Sequence, residues 1–161
     1  MKKIFGLVVM AMSMLFTANA MASTGVESVD AVTSTADYDG DYDGVISNVT
    51  MNGKSYSNED ATFTIESNVL ICDFPQIGKM PGTITVKLPI SINEATGEIT
   101  ATPGTSAGSL TLKVGGKATL YLDSLTNAKV ENGTLEFDMA VHGTYLGILN
   151  FPASFHFKAP K

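Results

Sequence analysis

The chain has 161 residues, a formal net charge of −6 and no arginine. Nucleic-acid binders neutralise phosphates with clustered Lys and Arg, so this composition excludes that partner class. The missing guanidinium fork also argues against bidentate capture of phosphate or carboxylate ligands, and the single cysteine, Cys72, rules out an internal disulfide.

Lys2-Lys3 forms a basic start, Ile4 to Phe16 an apolar run, and Ala18-Asn19-Ala20 or Ala20-Met21-Ala22 a small-x-small cleavage site. This pattern predicts a secretory signal peptide over 1–22. The run is too short and wrongly flanked for a membrane anchor, and no other stretch is long and apolar enough to span a bilayer. No cysteine follows it to take a lipid. The chain is therefore expected in the periplasm or outside the cell. Removal of Lys2 and Lys3 leaves 8 lysines against 16 acids, taking the charge to −8. Residues 23–36 are small, polar and unpatterned, and are expected to form a flexible leader. One domain is expected over 37–161, large enough to bury a core without a disulfide.

The first strand is predicted over Tyr42–Met51, with Val45 and Val49 on one face and Ile46 on the other. Asn52-Gly53 is a hairpin turn signal, because both central residues of a type I′ turn need positive φ. Ala61–Glu66 alternates, Phe63 and Ile65 against Thr62 and Thr64. Ser67-Asn68 turns the chain into Val69–Phe74, where Cys72 is read as a small buried apolar side chain; an exposed Cys72 would allow a disulfide-linked dimer. Pro75–Gly82 reads as a loop. In Thr83–Asn93 the residues Ile84, Val86, Leu88, Ile90 and Ile92 fall at every second position. Pro89 lacks the N–H a ladder needs, so this strand is bulged, interrupted or at an edge.

Glu94–Gly97 turns into a short strand at Glu98–Ala101, followed by a Pro/Gly loop over Thr102–Gly108. Ser109–Val114 and Lys117–Ser124 alternate on either side of Gly115-Gly116. Leu125–Glu131 is less regular and reads as one short strand. Asn132-Gly133 is the strongest hairpin signal in the chain. After it Leu135, Phe137, Met139 and Val141 alternate with Thr134, Glu136, Asp138 and Ala140, so a period of two separates a buried face from a wet one. Gly143 is expected to break the chain before Tyr145–Asn150, and Pro152 before Ala153–Lys158. Val, Ile, Thr, Phe and Tyr dominate these runs, as strands prefer. No window carries a sustained 3.6-residue period. The expectation is an all-β antiparallel meander with minimal helix, closed into a barrel or doubled into a sandwich to remove its edges.

Four constellations bear on chemistry. Gly104-Thr105-Ser106-Ala107-Gly108 matches the Gly-x-Ser-x-Gly nucleophile pattern, but that chemistry needs a strand-to-helix turn, and a strand follows here. Asp39, Asp41 and Asp43 match the first half of a calcium loop, while Thr50 stands where the bidentate acid should be. His142 and His156, with Cys72 or Asp73, have zinc-ligating chemistry, yet the alternation places both histidines on polar faces. Glu136, Asp138 and Asp123 also lie on polar faces, with no sign of a cleft for glycoside chemistry. No catalytic residue, metal or cofactor is assigned. Phe137, Met139, Leu149, Phe155 and Phe157 form an apolar stripe that either lines a ligand cavity or fills the core.

Tyr38-x-Gly40-x-Tyr42-x-Gly44 leading into the first strand, the Val69–Phe74 strand before a Pro/Gly loop, the Ile84–Ile90 strand and the Phe-rich paired ending together resemble the small secreted calycin-like β-barrel proteins of Gram-negative gut bacteria. The likeness spans Tyr38 to Lys158. It implies a single up-and-down barrel of about eight strands, lipocalin-like in shape. The chain has no tryptophan, so the Gly-x-Trp signature of true lipocalins is missing. The functional expectation is an exported, non-enzymatic barrel holding a small hydrophobic ligand in its interior. The alternative is a filled barrel acting as a protein-binding module, an inhibitor or surface component.

Overall fold

The computed structural model describes residues 38–78, 80, 82–113, 115–145 and 149–160; the expected signal peptide (1–22) and leader (23–36) lie outside the described residues. Eleven strands follow in order: β1 (Gly40–Met51), β2 (Lys54–Ser55), β3 (Glu59–Glu66), β4 (Val69–Phe74), β5 (Gly82–Pro89), β6 (Ser91–Ile92), β7 (Ile99–Thr100), β8 (Ser106–Leu112), β9 (Lys117–Glu131), β10 (Thr134–Tyr145) and β11 (Leu149–Pro160). Eight of them form one antiparallel up-and-down sheet, β1-β3-β4-β5-β8-β9-β10-β11, and β11 pairs back onto β1 to close a barrel. The fold is all-β, as the two-residue periodicity requires. Among the described residues, no helix is long and apolar enough to cross a membrane.

The hairpins sit where the turn chemistry places them. Asn52-Gly53 has φ of 51° and 72°, Ser67-Asn68 50° and 62°, and Asn132-Gly133 52° and 76°. These paired positive values define type I′ turns, whose twist matches that of the flanking strands. Pro89 ends β5, and the chain restarts as β6 in a separate two-stranded ribbon with β7. The interrupted-strand reading is thus the observed one.

Four expectations change. Val45 and Val49 do not share a face: Ile46 and Val49 are buried and Val45 is 41% exposed. The cause is a bulge. Ser47 pairs with His156 and Thr50 with Ser154, so β1 carries one extra residue there, and Asn48 takes a φ of 52° within it. An inserted residue reverses which side chains point inward. Leu125–Glu131 is not a separate strand but the second half of β9, whose irregular pattern comes from two further register shifts against β10. One of them carries Asn127 at φ 52°. Finally, Gly143 and Pro152 do not interrupt strands; they pair within β10 and β11, opposite Phe151 and His142. Proline forfeits only the N–H, and the Pro152 carbonyl still accepts a hydrogen bond from the Asn52 N–H at 3.0 Å. Gly143 is a packing position, because a Cβ there would press on the Leu120 side chain at 3.0 Å. The expected loop up to Gly108 is also shorter, since β8 starts at Ser106 and carries a bulge before Gly108.

Barrel closure depends on close approach at Gly44, where a Cβ would collide with the Lys158 carbonyl and with Ala159 on β11. Gly44→Ala is expected to cost about 1–3 kcal/mol, the usual range for overpacking. The midpoint of urea denaturation followed by circular dichroism measures it. An unchanged midpoint would mean that β1 and β11 are not held this closely.

Candidate functional site

The inward faces of the eight strands determine what the barrel can hold. Across its middle, Phe63, Phe137, Phe155 and Phe157 are all buried. Their rings are in mutual contact: Phe63 lies 5.1 Å from Phe137 edge-on and 4.6 Å from Phe157, and Phe137 lies 5.3 Å from Phe157. Such pairs contribute about 0.5–1.5 kcal/mol each beyond their burial. They form an aromatic plug.

One end is closed as well. The buried Tyr42 hydroxyl donates to the Tyr38 carbonyl at 2.8 Å, and the Tyr38 hydroxyl donates to the Glu94 carbonyl at 3.1 Å. Burial, with Asp39 and Tyr38 adding, pushes the Tyr42 phenol above its ordinary pKa, which keeps it a donor. The β6–β7 ribbon folds over this end with Ile90 and Ile99 buried, and the Val130 N–H bonds to the Gly97 carbonyl at 2.9 Å.

The opposite mouth is built differently. Ala153 brings only a methyl group to it, and Leu110, Ala118 and Leu120 form a satellite cluster apart from the main core. Between the two clusters lies a cavity of about 120 Å³ lined by Met51, Tyr56, Met80, Ile84, Leu110, Leu120, Val141, Phe151 and Ala153, among others. A second void of about 20 Å³ lies deeper, against Met139 and Phe155. Tyr56 and the loop carrying Ile77 and Met80 partly cover the mouth; the Ile77 N–H points at the Met80 sulfur at 3.2 Å.

The stripe expected to line a pocket is therefore distributed. Phe137 and Phe157 belong to the plug, while Met139 and Phe155 line the deeper void. Leu149 is in β11, but its side chain lies outside the described residues. The cavity wall itself was not singled out from the sequence. Alternation shows which residues point inward but not how far along the axis each sits. The available signal was Ala153, a small side chain among the phenylalanines of β11.

The other candidates lie on the outer wall or in separate places. Asp41 and Asp43 accept hydrogen bonds from the Thr64 and Thr62 hydroxyls at 2.7 and 2.6 Å, and Asp39 accepts from the Ser67 N–H at 3.4 Å. Asp41 and Asp43 stand on an extended strand, about 7 Å of rise apart, rather than on a loop folded around an ion. Among the described residues, no group of three or more His, Cys, Asp or Glu side chains could hold a metal. Ser106 opens a strand, and Ser106, Tyr121 and His142 form one cross-strand row. Two strand spacings of about 4.8 Å keep Ser106 and His142 apart, with the Tyr121 ring stacked on His142 at 5.6 Å. His142 Nδ1–H donates to Asp123 at 2.6 Å and His156 Nδ1–H to Asp138 at 2.9 Å.

No family model matches the sequence, and comparison with curated proteins and with solved structures finds no match in either. The architecture is that of a closed eight-stranded antiparallel barrel.

Cys72 points inward, away from either histidine, and is buried. Burial, with the neighbouring Asp73 charge adding, pushes its thiol up to about 12. An aromatic disulfide reagent at neutral pH is expected to leave native protein unlabelled and to label it fully in 6 M urea; fast native labelling would contradict the burial. Asp138 is held below its ordinary value of 3.8 by the Asn127 amide and by His156. A lowered carboxylate stabilises the fold above its unfolded pKa and loses that contribution as pH falls through the folded one. Thermal midpoints are thus expected to drop below about pH 4, and less so in Asp138→Asn. Equal acid sensitivity in the two proteins would contradict this linkage.

Proposed function

We propose that the chain is an exported, non-enzymatic calycin-like barrel that takes a small apolar ligand at its mouth. The supporting observation is the cavity between the satellite cluster and the main core. Its wall is aliphatic, aromatic and thioether apart from Asn52, and Tyr56 and the Met80 loop cover one side. Apolar cavities of this order stay dry and take molecules the size of benzene or xenon. At about 120 Å³ it is well below the roughly 300–1,000 Å³ of drug-sized sites. The ligand class is therefore a compact hydrocarbon or the apolar end of a larger molecule, rather than a whole lipid. Export is proposed from the signal pattern over 1–22.

The second reading is a filled barrel acting as a protein-binding module. The aromatic plug favours it, since it leaves the barrel centre no room for a guest.

Benzene titration followed by thermal denaturation discriminates the two. The midpoint is expected to rise with benzene concentration in the natural protein and to stay flat in Ala153→Phe, which fills the cavity while keeping a strand-rich circular dichroism spectrum. Native mass spectrometry of protein purified from its own host is expected to retain a small apolar mass. A flat benzene response together with bare protein from the host would leave the second reading.

A further inference from the structure

The shortest ladder of the barrel wall, among the described residues, is the seam between β3 and β4. β3 and β4 share only three pairs, Glu66 with Val69, Ile65 with Leu70 and Thr64 with Ile71. Both strands run on past the last of these. β3 continues to Glu59 along β1, and β4 continues to Phe74 along β5. Two local features keep them from rejoining. Pro75 has no N–H to extend a ladder, and the Phe74 ring turns toward Phe155, 5.0 Å away in the core.

The parity of the ladder identifies the groups left over. In a hairpin with a two-residue type I′ turn, the residues flanking the turn exchange hydrogen bonds, and every second residue repeats this. From Glu66 and Val69 the bonding positions facing the seam are Thr64 and Ile71, then Thr62 and Asp60 on β3 and Asp73 on β4. Past Thr64 and Ile71, the main-chain groups of Thr62, Asp60 and Asp73 have no cross-strand partner among the described residues. Such an edge is a template for an added strand.

The groove over this seam measures about 770 Å³ and is lined by Asp43, Asp60 and Asp73, by Thr62 and by the apolar Val45 and Ile71, with no lysine among its described lining residues. The cross-strand lysines stand outside it: Lys158 is opposite Val45 but bonds to Glu136 at 2.9 Å, and Lys87 is opposite Ile71. On the barrel side of the seam, Ala61, Cys72 and Phe74 offer an apolar floor.

We propose that the β3–β4 seam is a strand-addition site for an extended segment of another protein in which lysine alternates with aliphatic residues. The main chain of that segment takes up the free amides of Asp60, Thr62 and Asp73. Its lysines point outward to the three aspartates and its aliphatic side chains point in over Ala61 and Cys72. A second copy of this chain is a poor occupant, because each copy carries a net charge of −6. The seam and the mouth cavity share no lining residue, so the two readings stand or fall separately.

The test uses a fluorescein-labelled peptide, acetyl-Lys-Val-Lys-Val-Lys-Val-amide, with amide exchange read by NMR. Binding is expected to slow exchange at Asp60, Thr62 and Asp73 by tenfold or more. The double variant Asp60→Asn/Asp73→Asn is expected to weaken binding at least tenfold, and N-methylation of alternate peptide amides to abolish it. Undiminished binding of the N-methylated peptide would overturn the proposal, since only charge would then be at work. No binding at low salt would overturn it too. So would protection of the same amides by protein concentration alone, which would assign the seam to a second copy.

Discussion

Every barrel strand needs a neighbour on both sides, and β1 is where that demand closes the ring. It pairs with β3 along one edge and β11 along the other, with β2 added at its end. A sheet closed in this way leaves no free edge except where a ladder stops early. The bulge at Asn48 follows from that demand. A strand gripped on both sides cannot slip as a whole, so an inserted residue sends its backbone into positive φ and resets which side chains face the core. Gly44 answers the same constraint from the steric side, letting the β11 backbone come close enough to close the ring.

Closure fixes the interior cross-section, and side-chain size then decides what space remains. The chain places phenylalanines in the middle and Ala153 toward one mouth. The interior is therefore solid at its centre and at the Tyr38–Tyr42 end, and slack between Leu120 and Met80. Any guest is confined to that slack region. Cys72 lies inside the same wall, where burial makes it a packing group rather than a reactive thiol.

The outer wall follows another rule. Five of its aspartates are held by cross-strand threonines, asparagine or histidine: Asp41 by Thr64, Asp43 by Thr62, Asp73 by Thr85, Asp138 by Asn127 and His156, Asp123 by His142. This spreads negative charge over the surface without gathering it into a cage. At the β3–β4 seam, negative charge coincides with main-chain groups that have no cross-strand partner among the described residues.

Much of the fold was legible in local chemistry. Asn52-Gly53, Ser67-Asn68 and Asn132-Gly133 specify tight turns because few residues tolerate positive φ, and strict alternation in β4, β5 and β10 sorts wet from dry faces. These signals act over two to ten residues, and they suffice for a helix-poor antiparallel meander. Where β1 and β9 are bulged, alternation misleads, because the extra residue at Asn48 or Asn127 is fixed by the partner strand and not by its own neighbours. Gly143 and Pro152 look like breakers in isolation and become ladder members once β10, β11 and β1 are assembled. The height of each inward residue along the axis, and so the plug, the slack mouth and the split seam, arises only when all eight registers combine. That combination is a property of closure, which no single stretch of the sequence contains.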